Sequence, residues 1–135
     1  MTHLTMQPPV LTALYAGLLG LMSVVIAMAA GRLRGGPDGV LIGDGGNLEL
    51  TTAMRRHANF VEVVPICLIL IGLLELNGVS KGVIHGLGAV LVLARASHAY
   101  GFRSDGSLIA FRVAGALGSI LVTVVASVWS ITLAF

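Results

Sequence analysis

Four stretches of mostly apolar residues alternate with short polar connections along this chain. Two of them, residues 10–30 and 113–135, contain no charged side chain at all. A helix needs about 20 apolar residues to cross a bilayer. The pattern therefore predicts four membrane-spanning helices that form an up-and-down bundle. The predicted spans cover residues 8–33, 48–77, 80–103 and 107–134.

The composition excludes a soluble protein. Of the 135 residues, 56% are hydrophobic and only 10% are charged, whereas soluble domains carry about 25% charged residues. A net charge of +2 forms no patch for nucleic acid, and the single Cys67 excludes an internal disulfide or a two-cysteine metal site. We therefore expect residues 1–135 to form one all-α membrane domain, with membrane lipid as its surroundings and no nucleic-acid partner.

The arginines predict the orientation of the helices. The first and third connections are flanked by most of the positive charge, whereas the second has only Lys81, close to Glu75. The positive-inside rule places the arginine-rich connections in the cytoplasm. Loops one and three are therefore predicted to be cytoplasmic and both termini to lie outside. The flanking arginines are Arg32, Arg34, Arg55, Arg56, Arg103 and Arg112.

Two predicted helices carry polar side chains within their spans. Arg55, Asn59 and Glu62 are spaced by four and three residues, so they share one stripe of helix two, and Arg95 and His98 likewise share a face of helix three. Ionisable groups at membrane depth usually mark a site or pair with one another. This set suits a zwitterionic ligand with carboxylates and an ammonium, or a structural ion pair of Glu62 with Arg95.

Metal binding by these residues is not indicated. His57, His98 and Glu62 could each supply a ligand atom, but they are not arranged in a close metal-spacing motif. We therefore expect no metal site.

The helix-two segment resembles the signature of the MAPEG family, the membrane-associated proteins in eicosanoid and glutathione metabolism. That signature, R-x-x-x-N-x-x-E followed by proline, is matched by Arg55, Asn59, Glu62 and Pro65. The family includes microsomal glutathione transferases, leukotriene synthase and microsomal prostaglandin E synthase. The resemblance to its small bacterial members runs from about Arg32 to Arg112. Further matching segments are 43–46 with 49–50, 75–78 and 95–101.

The resemblance implies a homotrimer of four-helix protomers that binds glutathione between neighbouring subunits near the cytoplasmic face. By position, Arg55, Asn59 and Glu62 resemble the family's glutathione ligands on helix two. His57 fills a place where polar contacts to the peptide occur. A bacterial inner-membrane location is implied as well.

The remaining ligand positions lie on the other helices. Arg32, at the end of helix one, resembles the arginine that reaches a glutathione carboxylate, and His98 matches a ligand position on helix three. Arg95, on the same face as His98, joins the predicted glutathione-binding set. Arg112 resembles the catalytic arginine that holds the glutathione sulfur as thiolate, and Arg103 in the same connection is its alternative.

Two positions depart from the family pattern. Eicosanoid enzymes have a tyrosine after the motif glutamate at some sites, where this chain has Val63. A second family tyrosine, one turn after His98, is replaced by Phe102. Tyr100 is close in sequence, but at two residues from His98 it points about 200° round the helix. These departures bear on catalysis more than on binding.

Three classes of function fit these residues. The first is a glutathione-dependent membrane enzyme that conjugates glutathione to small lipophilic electrophiles or reduces lipid hydroperoxides. The second is a MAPEG-fold binding or scaffold protein without turnover, and the third is a transporter, because buried charges also suit ion paths.

Overall fold

The structure, a computed structural model, describes residues 8–37 and 39–135, and all the regular secondary structure within these residues is helical. Each of the four helices is long and apolar enough to cross a membrane, which confirms the predicted all-helical fold with four spans. Their ends lie within two residues of the predicted boundaries. The helices are α1, Val10–Arg34; α2, Leu48–Leu76; α3, Lys81–Gly101; and α4, Ile109–Thr132.

The ends of α2 are fixed by local hydrogen bonds. At its start the Asn47 side chain accepts from the backbone N–H groups of Glu49 and Leu50, which satisfies two otherwise free donors. At its end Gly78 has a φ of 78°, and the amide of Val79 donates to the carbonyl of Leu74. A glycine of positive φ directly after the helix, with this backbone hydrogen bond, is a common C-terminal closure of α-helices.

The start of α1 has no cap of its own and is capped by another helix. Pro9 precedes the helix and provides no side-chain hydrogen bond. Instead, the Glu75 carboxylate near the end of α2 accepts from the amides of Leu11 and Thr12 at 2.9 and 2.8 Å, and from the Thr12 hydroxyl at 2.7 Å. A carboxylate at a helix N-terminus is also favoured by the helix dipole. Glu75 therefore fixes where α1 docks on α2.

The first connection is held by its own polar side chains. Arg34 donates from Nη1 to the carbonyls of Val40 and Leu41. Asp44 accepts from the Thr51 hydroxyl at 2.5 Å and from the Gly46 amide at 3.0 Å. These hydrogen bonds, the one from Thr51 first, lower the pKa of the Asp44 carboxyl below its usual value. The loop therefore joins the start of α2 as an ordered segment.

The helices pack around a core to which α2 contributes more residues than any other helix. Helices α1 and α4 lie at opposite corners and make no contact with each other among the described residues. Many large apolar side chains on the outer surface are exposed, as expected where lipid or a neighbouring subunit covers the bundle. The core residues are Leu19, Ile26, Phe60, Val64, Cys67, Ile71, Leu74, Ile84, Leu91, Val122 and Ala126.

Glycines permit the closest helix contacts. A Cβ at Gly115 of α4 would lie 2.3 Å from the carbonyl oxygen of Ala94 on α3. A Cβ at Gly88 would lie 2.2 Å from the ring of Tyr15 on α1. That ring cannot easily move, because its hydroxyl is 2.8 Å from Nδ1 of His85 and donates to the His85 carbonyl. Small residues at such crossings are typical of membrane bundles.

We expect Gly88→Ala to destabilise the bundle by about 1–3 kcal/mol, because the added methyl group overpacks the contact between α1 and α3. Gly86→Ala is the matched control, since nothing lies within 4 Å of its Cβ position. Alanine there should be neutral or stabilise the helix by about 0.5–1 kcal/mol. Thermal unfolding in detergent measures both variants. Equal stability of the two would contradict the assigned contact.

Candidate functional site

A groove of about 440 Å³ brings together four of the predicted site residues. Arg55, Asn59 and Glu62 form one wall along α2, as their spacing predicts, and Arg112 reaches the groove from the first turn of α4. Arg55, Glu62 and Arg112 are exposed and Asn59 is half-buried. The groove thus opens on the outer surface of the protomer. Its remaining lining residues are Met54, Ala58 and Phe102.

Arg95 lies behind this groove, inside the bundle. Only 1% of its surface is exposed, and its Nη2 donates to Oδ1 of Asn59 at 2.9 Å. Its Nη1 is 3.5 Å from the Ser119 hydroxyl on α4, and its guanidinium lies over the Phe60 ring at 5.4 Å. Glu62 is not among its partners, so the alternative of a structural pair between Glu62 and Arg95 is not realised.

The side chain of Asn59 is oriented by this contact. Its carbonyl oxygen accepts from Arg95, which leaves the amide nitrogen as the group available to the groove. Asn59 therefore presents a hydrogen-bond donor, suited to a carboxylate or a peptide carbonyl. Arg95 acts on the groove through Asn59.

Arg112 rests on an aromatic ring. Its guanidinium carbon lies 4.0 Å from the centroid of the Phe102 ring, within the range of a cation–π interaction. The other neighbour of that ring is His98, with ring centroids 5.4 Å apart. His98 itself is buried, at 3% exposure, and contacts Arg95 through Nδ1.

The other predicted residues lie away from the groove. Arg32 is exposed in the last turn of α1 and His57 is half-buried on α2. Arg103 lines a different cavity of about 300 Å³, next to another face of α2. Tyr100 is exposed while His98 is buried, in agreement with their predicted divergence round the helix. The second cavity also contains Glu49, Thr52, Arg56, Ser104 and Asp105.

Comparison with known proteins identifies the family. The sequence profile of the MAPEG family matches residues 12–132, a range that includes most of all four helices. This chain belongs to the MAPEG family.

Two curated relatives share part of this sequence. The chain is 41% identical over 91 residues to the inner membrane protein YecN of Escherichia coli strain K12, an alignment that covers 67% of this chain and 69% of that relative. The protein of the same name from Escherichia coli O6:H1 matches to the same extent. No solved structure matches the chain significantly.

In this MAPEG protein a row of hydrogen-bonding groups continues from Arg95 into the bundle. Ser119 donates to the Gly115 carbonyl and Thr123 to the Ser119 carbonyl on α4. The Thr123 hydroxyl is 3.1 Å from the Cys67 sulfur on α2, and beyond Cys67 the core is apolar. The row links the groove to the middle of the bundle and ends there.

The charges of the groove define what it can bind. Two guanidinium groups, an amide donor and a carboxylate face the same space, so a ligand with carboxylates and an ammonium would find partners for both charges. Within residues 8–37 and 39–135, no group of three or more His, Cys, Asp or Glu side chains is placed to hold a metal ion.

Sequence reasoning missed two contacts that shape the MAPEG site. The hydrogen bond from Arg95 to Asn59 joins residues 36 positions apart, and no periodicity within one helix reveals such a pair. Arg56 donates to the carbonyl of Phe102, although the two predicted motifs gave neither residue a role in binding. For Arg56 the available signal was its place beside Arg55, and for Phe102 it was the family tyrosine that this residue replaces.

Proposed function

We propose that this protein is an integral membrane enzyme that uses glutathione as co-substrate. It would conjugate glutathione to small lipophilic electrophiles or reduce lipid hydroperoxides. The observation that carries the proposal is the groove in which Arg55, Asn59 and Glu62 of α2 meet Arg112 of α4. Membership of the MAPEG family supports glutathione as the zwitterionic tripeptide that such a groove would select.

The side chains divide the work of binding. Glu62 would accept the ammonium of the γ-glutamyl group, whereas Arg55 and the Asn59 amide would take its carboxylate and peptide oxygens. Arg32 and His57 match further ligand positions of the family. Because both lie away from the groove of their own protomer, a neighbouring subunit would supply them. His98 and Arg95 would support the groove from within, because both are buried.

Arg112 would activate the thiol. A free thiol has a pKa of about 8.5, so little thiolate exists at neutral pH. A guanidinium in a low-dielectric cleft stabilises the thiolate and lowers the pKa of the neighbouring thiol. The Arg112 side chain, on the groove and close to the start of α4, suits this role, and Arg103 lines a separate cavity.

The thiolate would then react with a substrate from the bilayer. Attack on an electrophilic carbon forms a C–S bond and displaces the leaving group or adds across an activated double bond. Attack on the terminal oxygen of a hydroperoxide forms an S–O bond and breaks the O–O bond. The products are the sulfenic acid of glutathione and an alkoxide, which takes up a proton to become the alcohol. A second glutathione then displaces water from the sulfenic acid and forms glutathione disulfide.

The proposed assembly is a homotrimer in the bacterial inner membrane. The polar stripe Arg55–Glu62 is exposed on the outside of one protomer, where lipid alone would leave it without partners. A second subunit would cover it and complete a cleft large enough for a tripeptide. The name of the Escherichia coli relative supports the inner membrane, and the arginine distribution supports cytoplasmic loops one and three.

A MAPEG-fold binding or scaffold protein without turnover is the alternative. Val63 and Phe102 replace family tyrosines, so the groove would then bind glutathione without activating it. Transport is less well supported, because the row of hydrogen-bonding groups from the groove ends at Cys67 before an apolar core.

The decisive experiment measures glutathione binding and turnover on the detergent-purified protein. Calorimetry with glutathione, and with its des-thiol analogue carrying alanine in place of cysteine, tests the binding groove. A panel of electrophiles and a lipid hydroperoxide tests the reaction. Selective binding without any product would favour the scaffold alternative, and no binding at all would reject both.

We expect Glu62→Gln to weaken glutathione binding by about 1.5–3 kcal/mol, because one charge-assisted hydrogen bond to the ligand ammonium is lost. The exposed Glu49, which lines the other cavity, provides the matched control Glu49→Gln, with affinity unchanged. Calorimetry and thermal unfolding are measured together. Normal binding by Glu62→Gln with a lower thermal midpoint would instead assign Glu62 a structural role.

Glutathione binding should require the trimer. In native mass spectrometry across a detergent series, we expect bound glutathione on trimers only, with loss of binding wherever the protein dissociates. The physical reason is that one protomer offers an open groove, which needs a second wall. Monomers that retain glutathione would refute this arrangement.

Arg112→Ala should raise the pKa of the bound thiol by about one unit, which lowers the thiolate fraction at pH 7 about tenfold. Glutathione affinity should stay within a few fold. The ultraviolet thiolate absorbance of bound glutathione across a pH series measures this, and Arg103→Ala is the matched control. A shifted titration in Arg103→Ala with an unchanged one in Arg112→Ala would transfer the role to Arg103.

A further inference from the structure

Phe102 lines the groove and contacts Arg112 there. It follows directly after α3 and is 8% exposed. The Arg112 guanidinium carbon lies 4.0 Å from the centroid of this ring. The shortest such distances for the other arginines are 5.4 Å, for Arg95 over Phe60, and 5.8 Å, for Arg103 over Tyr100. Arg112 is therefore the arginine most closely seated on an aromatic face.

The backbone that carries the ring is held in place from two directions. Arg56 of α2 donates from Nη2 to the carbonyl of Phe102. Gly101, the residue before Phe102, lies very close to the start of α4. A Cβ at Gly101 would lie 2.3 Å from the backbone nitrogen of Arg112. The segments that carry Phe102 and Arg112 thus cannot shift independently.

The Arg112 side chain needs such a support. It is exposed and has several rotatable bonds, and its guanidinium makes no hydrogen bond to residues 8–37 or 39–135. An arginine side chain that is free to rotate spreads its charge over many positions, and fixing it costs conformational entropy. The ring face restricts these positions while the N–H groups at the edge of the guanidinium stay free to bind an anion.

We propose that Phe102 is a positioning residue, whose ring holds the Arg112 guanidinium towards the groove. This rests on the proposed function, in which Arg112 stabilises the glutathione thiolate, and it goes further by giving the phenylalanine a role. Phe102 stands at a position that is tyrosine in other family members, and its role here would come from the face of its ring, because it has no hydroxyl. The contact with Arg112 therefore requires an aromatic ring at this position but does not require a hydroxyl group on the ring.

The first measurement does not involve glutathione. Ring currents shift the Arg112 side-chain NMR signals upfield when the guanidinium lies over the ring. In arginine-labelled protein, with the signal assigned by its loss in Arg112→Lys, we expect this shift in the wild type and in Phe102→Tyr. It should disappear in Phe102→Leu. Phe111→Leu is the matched control, because Phe111 pairs with Tyr100 and should leave the signal unchanged.

The second measurement is the thiolate titration of bound glutathione in the same variants. A cation–π contact at an exposed site changes an equilibrium constant by about two- to fivefold. Phe102→Leu should therefore lower the thiolate fraction at pH 7 by about this factor. Phe102→Tyr and Phe111→Leu should titrate like the wild type.

The outcomes separate the two proposals. The positioning role is overturned if the Arg112 signal is not shifted upfield in the wild type, or if the upfield shift persists in Phe102→Leu. This holds regardless of the result of the glutathione titration. A normal titration in Phe102→Leu beside a shifted one in Arg112→Ala also overturns it. If no thiolate forms even in the wild type, the proposed chemistry fails, and the NMR comparison alone decides whether the ring holds the arginine.

Discussion

The guanidinium of Arg95 is the group on which the arrangement around the groove depends. It is almost completely buried, and its partners are the neutral side chains of Asn59, Ser119 and His98 with the Phe60 ring. A buried cation is tolerated only where hydrogen bonds replace its hydration. Among the described residues the Arg95 Nε has no hydrogen-bond partner, so these contacts of Nη1 and Nη2 hold the cation. Because the partners come from α2, α3 and α4, binding one cation fixes how the three helices meet.

This arrangement separates an inner from an outer polar layer. Arg95 and His98 lie inside the bundle, whereas Arg55, Glu62 and Arg112 are exposed along the groove. Asn59 connects the layers, because its oxygen accepts from Arg95 and the residue also lines the groove. The inner layer therefore orients donors, and the outer layer carries the charges that a ligand can reach.

Tight contacts elsewhere keep this part of the bundle in register. Glu75 docks the start of α1 on α2, and Gly115 allows α4 to approach α3 at Ala94, within one turn of Arg95 and His98. The Arg56 contact to Phe102 ties the end of α3 to α2. In a lipid environment, packing and hydrogen bonds of this kind take over much of the role that water-driven burial has in soluble proteins.

The sequence by itself determined the number of helices, their approximate ends and the shared stripe of Arg55, Asn59 and Glu62. Hydropathy and helical period act within one segment, so they can be read directly from the chain. Its motifs also led to the family. The meeting of Arg112 with that stripe, and the distribution of arginines between two cavities, depended on how α4 and the third connection fold back on α2. Tertiary structure likewise decided three further features: the burial of Arg95 and His98, the capping of α1 by Glu75, and the contact of Arg112 with the Phe102 ring. Each of them joins residues that come close only through packing between helices or through the fold of the third connection.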